Sequence, residues 1–264
     1  MDISRVFIFL FIFSSVLWGE DKLKILQTKA DDGNSQAAYE LAEILYWAKG
    51  VERDFGQAGD YALVGALKGN PLAQYRYAVM QLLGHGVKQD VRAGFKMLAE
   101  AIPALGKLAE EGNPDALYKM GILHQLGLMK ANRFNPNNEM ALVNFRAAAE
   151  LGHARAAFFS AEMVRIGLGT PKNSLKAFNL YEESASADFA DAAFYIWIMH
   201  NVEGEKIVSQ KDALRFLKQA AESGLKKAQR EYGKALFEEK LGLKVDTKVA
   251  LQWVRKAAMQ GDSS

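Results

Sequence analysis

The four histidines and one serine-lysine pair are the side chains whose types and spacing could suggest metal or catalytic chemistry, and they do not form a recognisable site. The four histidines are His85, His124, His153 and His200, and cysteine is absent. A zinc site needs three or four ligands brought to one place, and none of these histidines stands in a metal-binding motif. The sequence therefore predicts no metal, no cofactor and no catalytic histidine.

One serine and one lysine match a catalytic spacing. Ser223 and Lys226 form a Ser-x-x-Lys pair, the arrangement that holds the nucleophile of penicillin-recognising enzymes. Those enzymes also carry Ser-Asp-Asn and Lys-Thr-Gly, and this sequence has neither. It also lacks a Gly-x-Ser-x-Gly elbow and a glycine-rich phosphate loop. We therefore predict that the protein has no catalytic residues and is not an enzyme.

Composition and charge indicate a folded chain and argue against nucleic-acid binding. Half of the residues are hydrophobic and 24% are charged, which is typical of a folded chain. The 33 lysines and arginines nearly balance the 31 acidic residues, so the net charge is +2. Nucleic-acid-binding proteins concentrate basic residues, because phosphate contacts dominate their affinity. We therefore predict no nucleic-acid partner.

A repeated phrase divides most of the chain into similar segments: Ala-x-x-Gly, followed by Ala four residues after the Gly. The Gly stands at 33, 69, 112, 152, 224 and 261, and Asp188 takes its place once. A glycine tolerates the left-handed backbone that ends a helix, and small alanines let two helices approach closely. The phrase therefore predicts a corner between two helices in each repeat of roughly 36 to 43 residues.

A second corner lies inside each repeat. Glycines close the first helix, as in Gly84-His-Gly86 and Gly167-Leu-Gly169, and a residue that can cap the next helix follows. The capping residues are Asp54, Asp90, Asn137, Asn173, Ser209 and Asp246. Each repeat is thus predicted to consist of helix A, a glycine loop and helix B. Pro103 is expected to kink or split the long helix B of the second repeat.

These corners divide the chain into an N-terminal segment, residues 1–19, and a repeat domain, residues 20–264. A half-repeat at 21–33 precedes repeats at about 34–69, 70–112, 113–152, 153–188, 189–224 and 225–261. The last corner glycine, Gly261, is close to the final residue. We therefore expect the array to stop within a repeat.

The corner phrase and the Gly-x-Gly-Val loop, as in Gly84-His-Gly86-Val87, resemble the Sel-one-like repeat family, relatives of the tetratricopeptide repeats. The resemblance covers about Lys22 to Gly261. It implies an all-α fold, a right-handed α-solenoid (α/α superhelix) of about six helix-turn-helix repeats, with the A helices lining a concave face. It also implies an adaptor in protein complexes, or in bacterial envelope and host-contact functions.

Aromatic residues recur at one position of helix A, two residues after its first alanine. The candidate binding residues are these aromatics together with Tyr46 and Trp47: Tyr39, Tyr46, Trp47, Tyr75, Tyr118, Phe158 and Phe194. Their neighbours in a groove, by analogy with tetratricopeptide repeats, are Glu43, Val79, Glu162, Arg165, Ile198 and Asn201. The series indicates either packing between repeats or a ladder of rings that binds a ligand.

The first 19 residues are typical of an export signal. A positive charge at Arg5 precedes an apolar run from Val6 to Trp18 that is shorter than the roughly 20 residues of a membrane span. We therefore predict an exported protein, periplasmic or secreted, that touches the membrane only through this segment if it is not cleaved. The predicted function is a non-catalytic scaffold of the cell envelope that binds a protein or peptide. The alternative is a peptidoglycan or glycan binder, or a weak β-lactamase-like hydrolase.

Overall fold

The computed structural model describes residues 23–47, 51–129, 134–237 and 247–260, and every structural statement below concerns these residues. They form thirteen helices and no strand. The first, α1, covers residues 23–31. The others are α2 (Ser35–Trp47), α3 (Phe55–Leu67), α4 (Pro71–Leu83), α5 (Val91–Glu110), α6 (Pro114–Leu126), α7 (Asn138–Glu150), α8 (Ala154–Ile166), α9 (Ser174–Ser186), α10 (Ala190–Asn201), α11 (Gln210–Glu222), α12 (Lys226–Phe237) and α13 (Thr247–Met259).

The corner between repeats has the predicted left-handed backbone. The corner glycines have φ between +80° and +88° in the described residues, and Asp188 has φ +60°. After α3, the N–H of Gly69 donates to the carbonyl of Ala66, and the N–H of Asn70 donates to the carbonyl of Gly65. This pair of bonds satisfies carbonyls that a helix end otherwise leaves without partners. The predicted corners are therefore confirmed where the structure describes them.

The predicted caps of the B helices are also present. Asp54 Oδ1 accepts the N–H of Gln57 at 2.9 Å, and Asp90 Oδ1 accepts the N–H of Ala93 at 2.9 Å. Asn137, Asn173 and Ser209 cap α7, α9 and α11 in the same way, whereas Asp246 lies outside the described residues. Helices α2 to α13 therefore alternate as A and B helices, with even numbers for A and odd numbers for B.

Two compact units divide the chain, and each has its own core. The first extends to Glu110, and the second contains Glu111–Leu128 and Phe134–Ser264. Alanines and leucines of α1 to α4 form the core of the first unit. Larger aromatics, among them Phe145 and Tyr181, contribute to the core of the second. Within each unit the A helices pack against B helices, as stacked helix pairs must to bury their apolar faces.

Helix α5 corrects one sequence prediction. It runs unbroken through Pro103 over 20 residues, so of the two expected effects, a kink or a split, the split is wrong. Proline removes one backbone hydrogen bond, but the buried stripe of Gly94, Leu98, Ala101 and Leu105 continues across it. Tertiary packing of that stripe holds both halves as one element. None of the helices that the structure describes is long and apolar enough to cross a membrane.

Candidate functional site

The predicted binding residues fall into two groups, one in each unit. Tyr39, Tyr46, Trp47 and Tyr75 lie in the first unit, and Tyr118, Phe158 and Phe194 lie in the second. The seven side chains differ in how much of each is exposed to solvent. Trp47 is 37% exposed, whereas Tyr39 is 1% exposed and Tyr46, Tyr75 and Phe194 are also buried. Tyr118 and Phe158 are half-buried.

The predicted ladder of ligand-binding rings is therefore wrong for the rings that are buried, and these rings pack between helices instead. Tyr39 cannot present a ring face to a ligand, because its side chain is enclosed between helices. The half-buried members also make packing contacts: the Tyr118 ring centroid lies 5.9 Å from Phe145 on α7 and 5.8 Å from Phe159 on α8. Such ring contacts join helices within one repeat, as with Phe145, and between consecutive repeats, as with Phe159. Trp47 alone among the seven is exposed.

Trp47 belongs to a compact group of polar and aromatic side chains, which we call the Glu43–Arg76 cluster: Glu43, Tyr46, Trp47, Arg76 and His85. Glu43 Oε1 lies 2.7 Å from both Nε and Nη2 of Arg76. The other carboxylate oxygen, Oε2, accepts the indole N–H of Trp47 at 2.9 Å. The Arg76 guanidinium also lies 4.2 Å from the Tyr46 ring centroid and 5.3 Å from that of Trp47. A carboxylate and a cation therefore hold the exposed indole from two sides.

The inner end of the cluster is closed by His85. Its Nδ1 lies 2.9 Å from the hydroxyl of Tyr46, and its ring stacks on Phe55 with the centroids 4.8 Å apart. Tyr46 packs in turn against Phe55 and Trp47, with centroid distances of 5.1 and 4.9 Å. The glycine loop that carries His85 thus orders the end of helix α2, where Trp47 stands.

The positive charge of Arg76 is stabilised within this cluster. Burial of Arg76 disfavours its charged form, but the Glu43 carboxylate outweighs that cost and raises the pKa of Arg76 above its usual value. The Arg76 guanidinium therefore stays charged beside the Glu43 carboxylate, with side chains 5% and 12% exposed. Such a pair holds neighbouring groups in place.

A second group in the other unit, the Glu162–Arg165 cluster, consists of Glu162, Arg165, Tyr181, Tyr195 and Glu203. Arg165 donates from Nε to Glu162 Oε1 at 3.1 Å and from Nη2 to Glu162 Oε2 at 3.0 Å. Its Nη1 lies 2.5 Å from Glu203 Oε1, and the Tyr181 hydroxyl donates to Glu162. The hydrogen bond to Glu162 is the main cause that raises the pKa of Arg165. Burial and the Glu162 charge raise the pKa of Tyr195.

The two clusters use the same three kinds of side chain at equivalent repeat positions. Glu43 and Glu162 both stand six residues after the first alanine of helix A. The position nine after that alanine holds Tyr46 in one cluster and Arg165 in the other. The position three after the alanine of the next repeat holds Arg76 and Tyr195 respectively. Arginine and tyrosine are therefore exchanged between two structurally equivalent sites.

Sequence reasoning identified part of these clusters and missed part. Glu43, Glu162 and Arg165 were among the predicted groove neighbours, but Arg76 and His85 were not. The residue type of Arg76 carried no signal, because Glu40 and Glu231 hold the equivalent repeat position and are half-buried, whereas Arg76 is 4% exposed. A buried arginine requires a carboxylate partner, and Glu43 is the acidic residue on the preceding A helix at the matching level.

His153, His200 and Ser223 have structural partners. His153 caps α8 by accepting the N–H of Ala156 at 3.1 Å, and its Nε2 lies 3.2 Å from Asp115. His200 Nε2 lies 2.9 Å from Gln210 Oε1. Ser223 donates its hydroxyl to the carbonyl of Gln219 at 3.0 Å. Within the described ranges, no three histidine, aspartate or glutamate side chains come together as a metal site.

These observations define the class of protein: an all-α array of helix-turn-helix repeats in which side chains of neighbouring A helices form polar and aromatic clusters. The chain belongs to the Sel1 repeat family. Six Sel1 repeats match residues 35–70, 71–102, 114–153, 154–189, 203–225 and 226–262. Its fold is that of a Sel1 repeat protein from Oxalobacter formigenes, with a TM-score of 0.63, 23% identity, and coverage of 90% of this chain and 99% of that one.

Several curated relatives are fungal proteins. The chain is 30% identical over 178 residues to "Chitin synthase regulator SKT5" of Malassezia restricta, covering 64% of this chain and 12% of that protein. It is 24% identical over 253 residues to "Chitin synthase regulatory factor 3" of Schizosaccharomyces pombe, covering 80% of this chain and 26% of that protein. The chain thus spans 12% and 26% of the lengths of these two relatives.

These relatives correct the predicted location. They are named as regulators of a fungal enzyme and not as periplasmic or secreted proteins. The predicted export to the periplasm or the medium is therefore wrong. The prediction relied on the apolar composition of residues 1–19, which lie outside the described residues. Apolar composition alone does not specify a destination, because short apolar runs also occur in buried helices.

Proposed function

We propose that this protein is a non-catalytic scaffold that binds a partner protein or peptide through the A helices of its repeats. The observation that carries the proposal is Trp47, a large aromatic side chain that is 37% exposed although hydrogen bonded and packed on its inner side. Interfaces obtain most of their affinity from such preorganised aromatic anchors. The family and the regulator names of the relatives support a role in protein complexes.

The Glu43–Arg76 cluster explains why Trp47 suits this role. A free tryptophan side chain loses rotamer freedom when it binds, which costs affinity. Here Glu43 Oε2 and the Arg76 guanidinium already hold the indole in one orientation. The partner best suited to the surface offers an apolar side chain for the indole face, with polar groups for the rim. An extended peptide or a partner helix meets both conditions.

Peptide binding can be tested directly on the purified full chain. Peptides selected from a displayed random library on the wild-type protein would be synthesised, and their affinities measured by isothermal titration. We expect Trp47→Ala to weaken binding by about 2 kcal/mol or more, since truncation of a central aromatic anchor costs that much. Thermal unfolding of the same variant would show that the fold persists.

Val64→Ala is the matched control, because Val64 on helix α3 is also 37% exposed but lies on a B helix. Its affinity for the selected peptides should equal that of the wild type. Unchanged affinity of Trp47→Ala, or equal losses in both variants, would contradict the proposed site. Failure to select any peptide from the library would count against peptide recognition as a whole.

A further inference from the structure

The B helices α11 and α13 expose a concentration of positive charge that the even balance of the whole chain conceals. Together they carry Lys211, Arg215, Lys218, Lys248, Arg255 and Lys256 against the two acidic residues Asp212 and Glu222. The two preceding B helices of the same unit, α7 and α9, carry two basic residues against four acidic ones. The charge therefore changes sign along the B helices of this unit.

Repeat geometry places these cations on equivalent outward positions. Both helices bury the opposite side: α11 buries Ala213, Leu217 and Ala220, and α13 buries Ala250 and Ala257. The outward positions, spaced at three or four residues, hold Lys211, Arg215, Lys218 and Glu222 on α11, and Lys248, Gln252, Arg255 and Met259 on α13. All eight are exposed. We call them the basic face.

Local ion pairs reduce this charge only weakly. Arg215 Nε lies 3.9 Å from Asp212, and Lys218 Nζ lies 3.5 Å from Glu222. The basic side chains of both pairs are more than half exposed, and exposed pairs of this kind contribute little because water screens them. The cations are therefore available to an anionic partner.

We propose that the basic face binds the surface of a membrane containing anionic phospholipids. Long lysine and arginine side chains at equivalent positions of two consecutive B helices match a broad array of anionic headgroups, which need no shaped pocket. The exposed apolar side chains beside them, Leu251 and Met259, can enter the interfacial layer. This surface lies outside residues 1–19, the segment through which membrane contact was predicted.

Two other anionic partners fit the face less well. A protein interface relies on aromatic or arginine anchors in desolvated pockets. Arg215 and Arg255 are instead exposed, and no aromatic side chain is exposed among the described residues of these helices. Single-stranded nucleic acid binding relies on rings on which bases stack. Trp253 is half-buried and packs against Tyr232 with the centroids 5.6 Å apart. An anionic bilayer requires only the charge.

Flotation of the full chain with vesicles tests the proposal. Vesicles of phosphatidylcholine alone would be compared with vesicles that also contain phosphatidylserine. We expect binding only to the second kind, falling steeply as salt is added. Each lysine removed near an anionic surface should lower partitioning roughly five-fold, so Lys211→Gln with Lys248→Gln should lower it roughly 25-fold.

The matched control is Arg92→Gln with Lys96→Gln, two exposed cations of helix α5 in the other unit. This variant has the same net charge as the first and should bind vesicles like the wild type. Trp47→Ala should also bind normally, which separates this proposal from the scaffold function. Equal binding to both kinds of vesicle, or equal loss in the two double variants, would overturn the proposal. Tighter binding to polyglutamate or to single-stranded DNA would assign the face to another partner.

Discussion

Glu43 and Arg76 join two consecutive A helices of the first unit through a buried ion pair. One carboxylate oxygen contacts two guanidinium nitrogens at 2.7 Å, and the side chains are 12% and 5% exposed. Each charge was removed from water and depends on the other for compensation. Because the second carboxylate oxygen accepts the Trp47 indole N–H at 2.9 Å, the pair also orients the exposed anchor of the proposed binding site.

Removing the cation alone should strongly destabilise the protein. In Arg76→Met the Glu43 carboxylate would stay enclosed without a counter-charge, and we expect unfolding free energy to fall by about 3–5 kcal/mol. Urea denaturation measures the change. The double variant Glu43→Leu with Arg76→Met removes both charges and should recover most of the loss. Equal losses in the single and double variants would contradict a compensated buried pair.

Tyr39 and Trp47 should respond differently to truncation, although both were predicted to bind ligand. Tyr39 is 1% exposed, so Tyr39→Ala leaves a cavity and should cost about 3–5 kcal/mol. Trp47→Ala should cost about 1–2 kcal/mol, because the indole already meets water and loses mainly its contacts with Tyr46 and Arg76. Chemical denaturation of the two variants gives the comparison. Equal losses would place Trp47 in the core.

Gly121 should not accept alanine despite its position within helix α6. A Cβ atom there would lie 2.6 Å from Cδ1 and Cε1 of Phe145, which is fully buried. We expect Gly121→Ala to lower stability by about 1–3 kcal/mol through overpacking. Gly121→Ala with Phe145→Leu provides space for the methyl group and should restore part of the loss. A thermal midpoint above that of the wild type in the single variant would contradict the packing.

Replacing Asp188 with glycine should stabilise the folded protein. It occupies the corner position that glycine holds in the other repeats, with φ +60°, a conformation that costs an L-residue about 1–2 kcal/mol and Asp somewhat less. Asp188→Gly should therefore raise the unfolding free energy by up to about 1 kcal/mol, whereas Asp188→Ala should lower it by a similar amount. Urea midpoints at equal m-values test this. Identical midpoints for the two variants would show that the corner carries no strain.

Acid should weaken one contact between loops. The Ser174 hydroxyl and Lys172 lower the pKa of Glu205 below its usual 4.5, and Lys172 Nζ lies 3.0 Å from Glu205 Oε1. The Glu205 carboxyl group therefore binds its proton less tightly in the folded protein than in the unfolded chain. The stabilisation is complete above pH 4.5 and is lost as pH falls through the lower folded pKa.

Glu205→Gln should consequently lower the thermal midpoint at pH 7 and lose this effect in more acidic buffer. Thermal unfolding of both proteins across the acid range measures the difference. Lys176→Gln, which removes an exposed charge from helix α9, is the control. It should change the thermal midpoint by the same amount at pH 7 and in acidic buffer. A constant difference between Glu205→Gln and wild type at every pH would contradict the assignment.

The helices could be predicted because capping residues and corner glycines mark their ends. Asp54 caps α3 and Gly69 reverses the chain after it, through hydrogen bonds to residues within a few positions. Such signals depend on the backbone preferences of single residues and on nearest neighbours in the chain. Pro103 shows where this fails, since a local signal against helix continuation was overridden by burial of Leu98 and Leu105 on either side.

The candidate site was only partly predictable. The repeat register placed Tyr39 and Tyr75 at one helix position, but the register does not say whether that position faces water. Exposure depends on how closely the next repeat approaches, and the structure buries both rings. Arg76 was missed because a single arginine on a helix is usually solvated. Only contact with the preceding A helix brings Glu43 to it.

The sequence by itself determined the family, the helix boundaries at the described corners, and which residues share a repeat position. It could do so because the corner glycines, the caps and the alanine spacing act within about one helical turn. Tertiary structure alone decided that Trp47 is exposed while Tyr39 is enclosed, that Glu43 meets Arg76, and that the cations of α11 and α13 share an outward side. These outcomes depend on contacts between side chains more than thirty residues apart, such as Glu43 with Arg76, or on which side of a helix its neighbours cover.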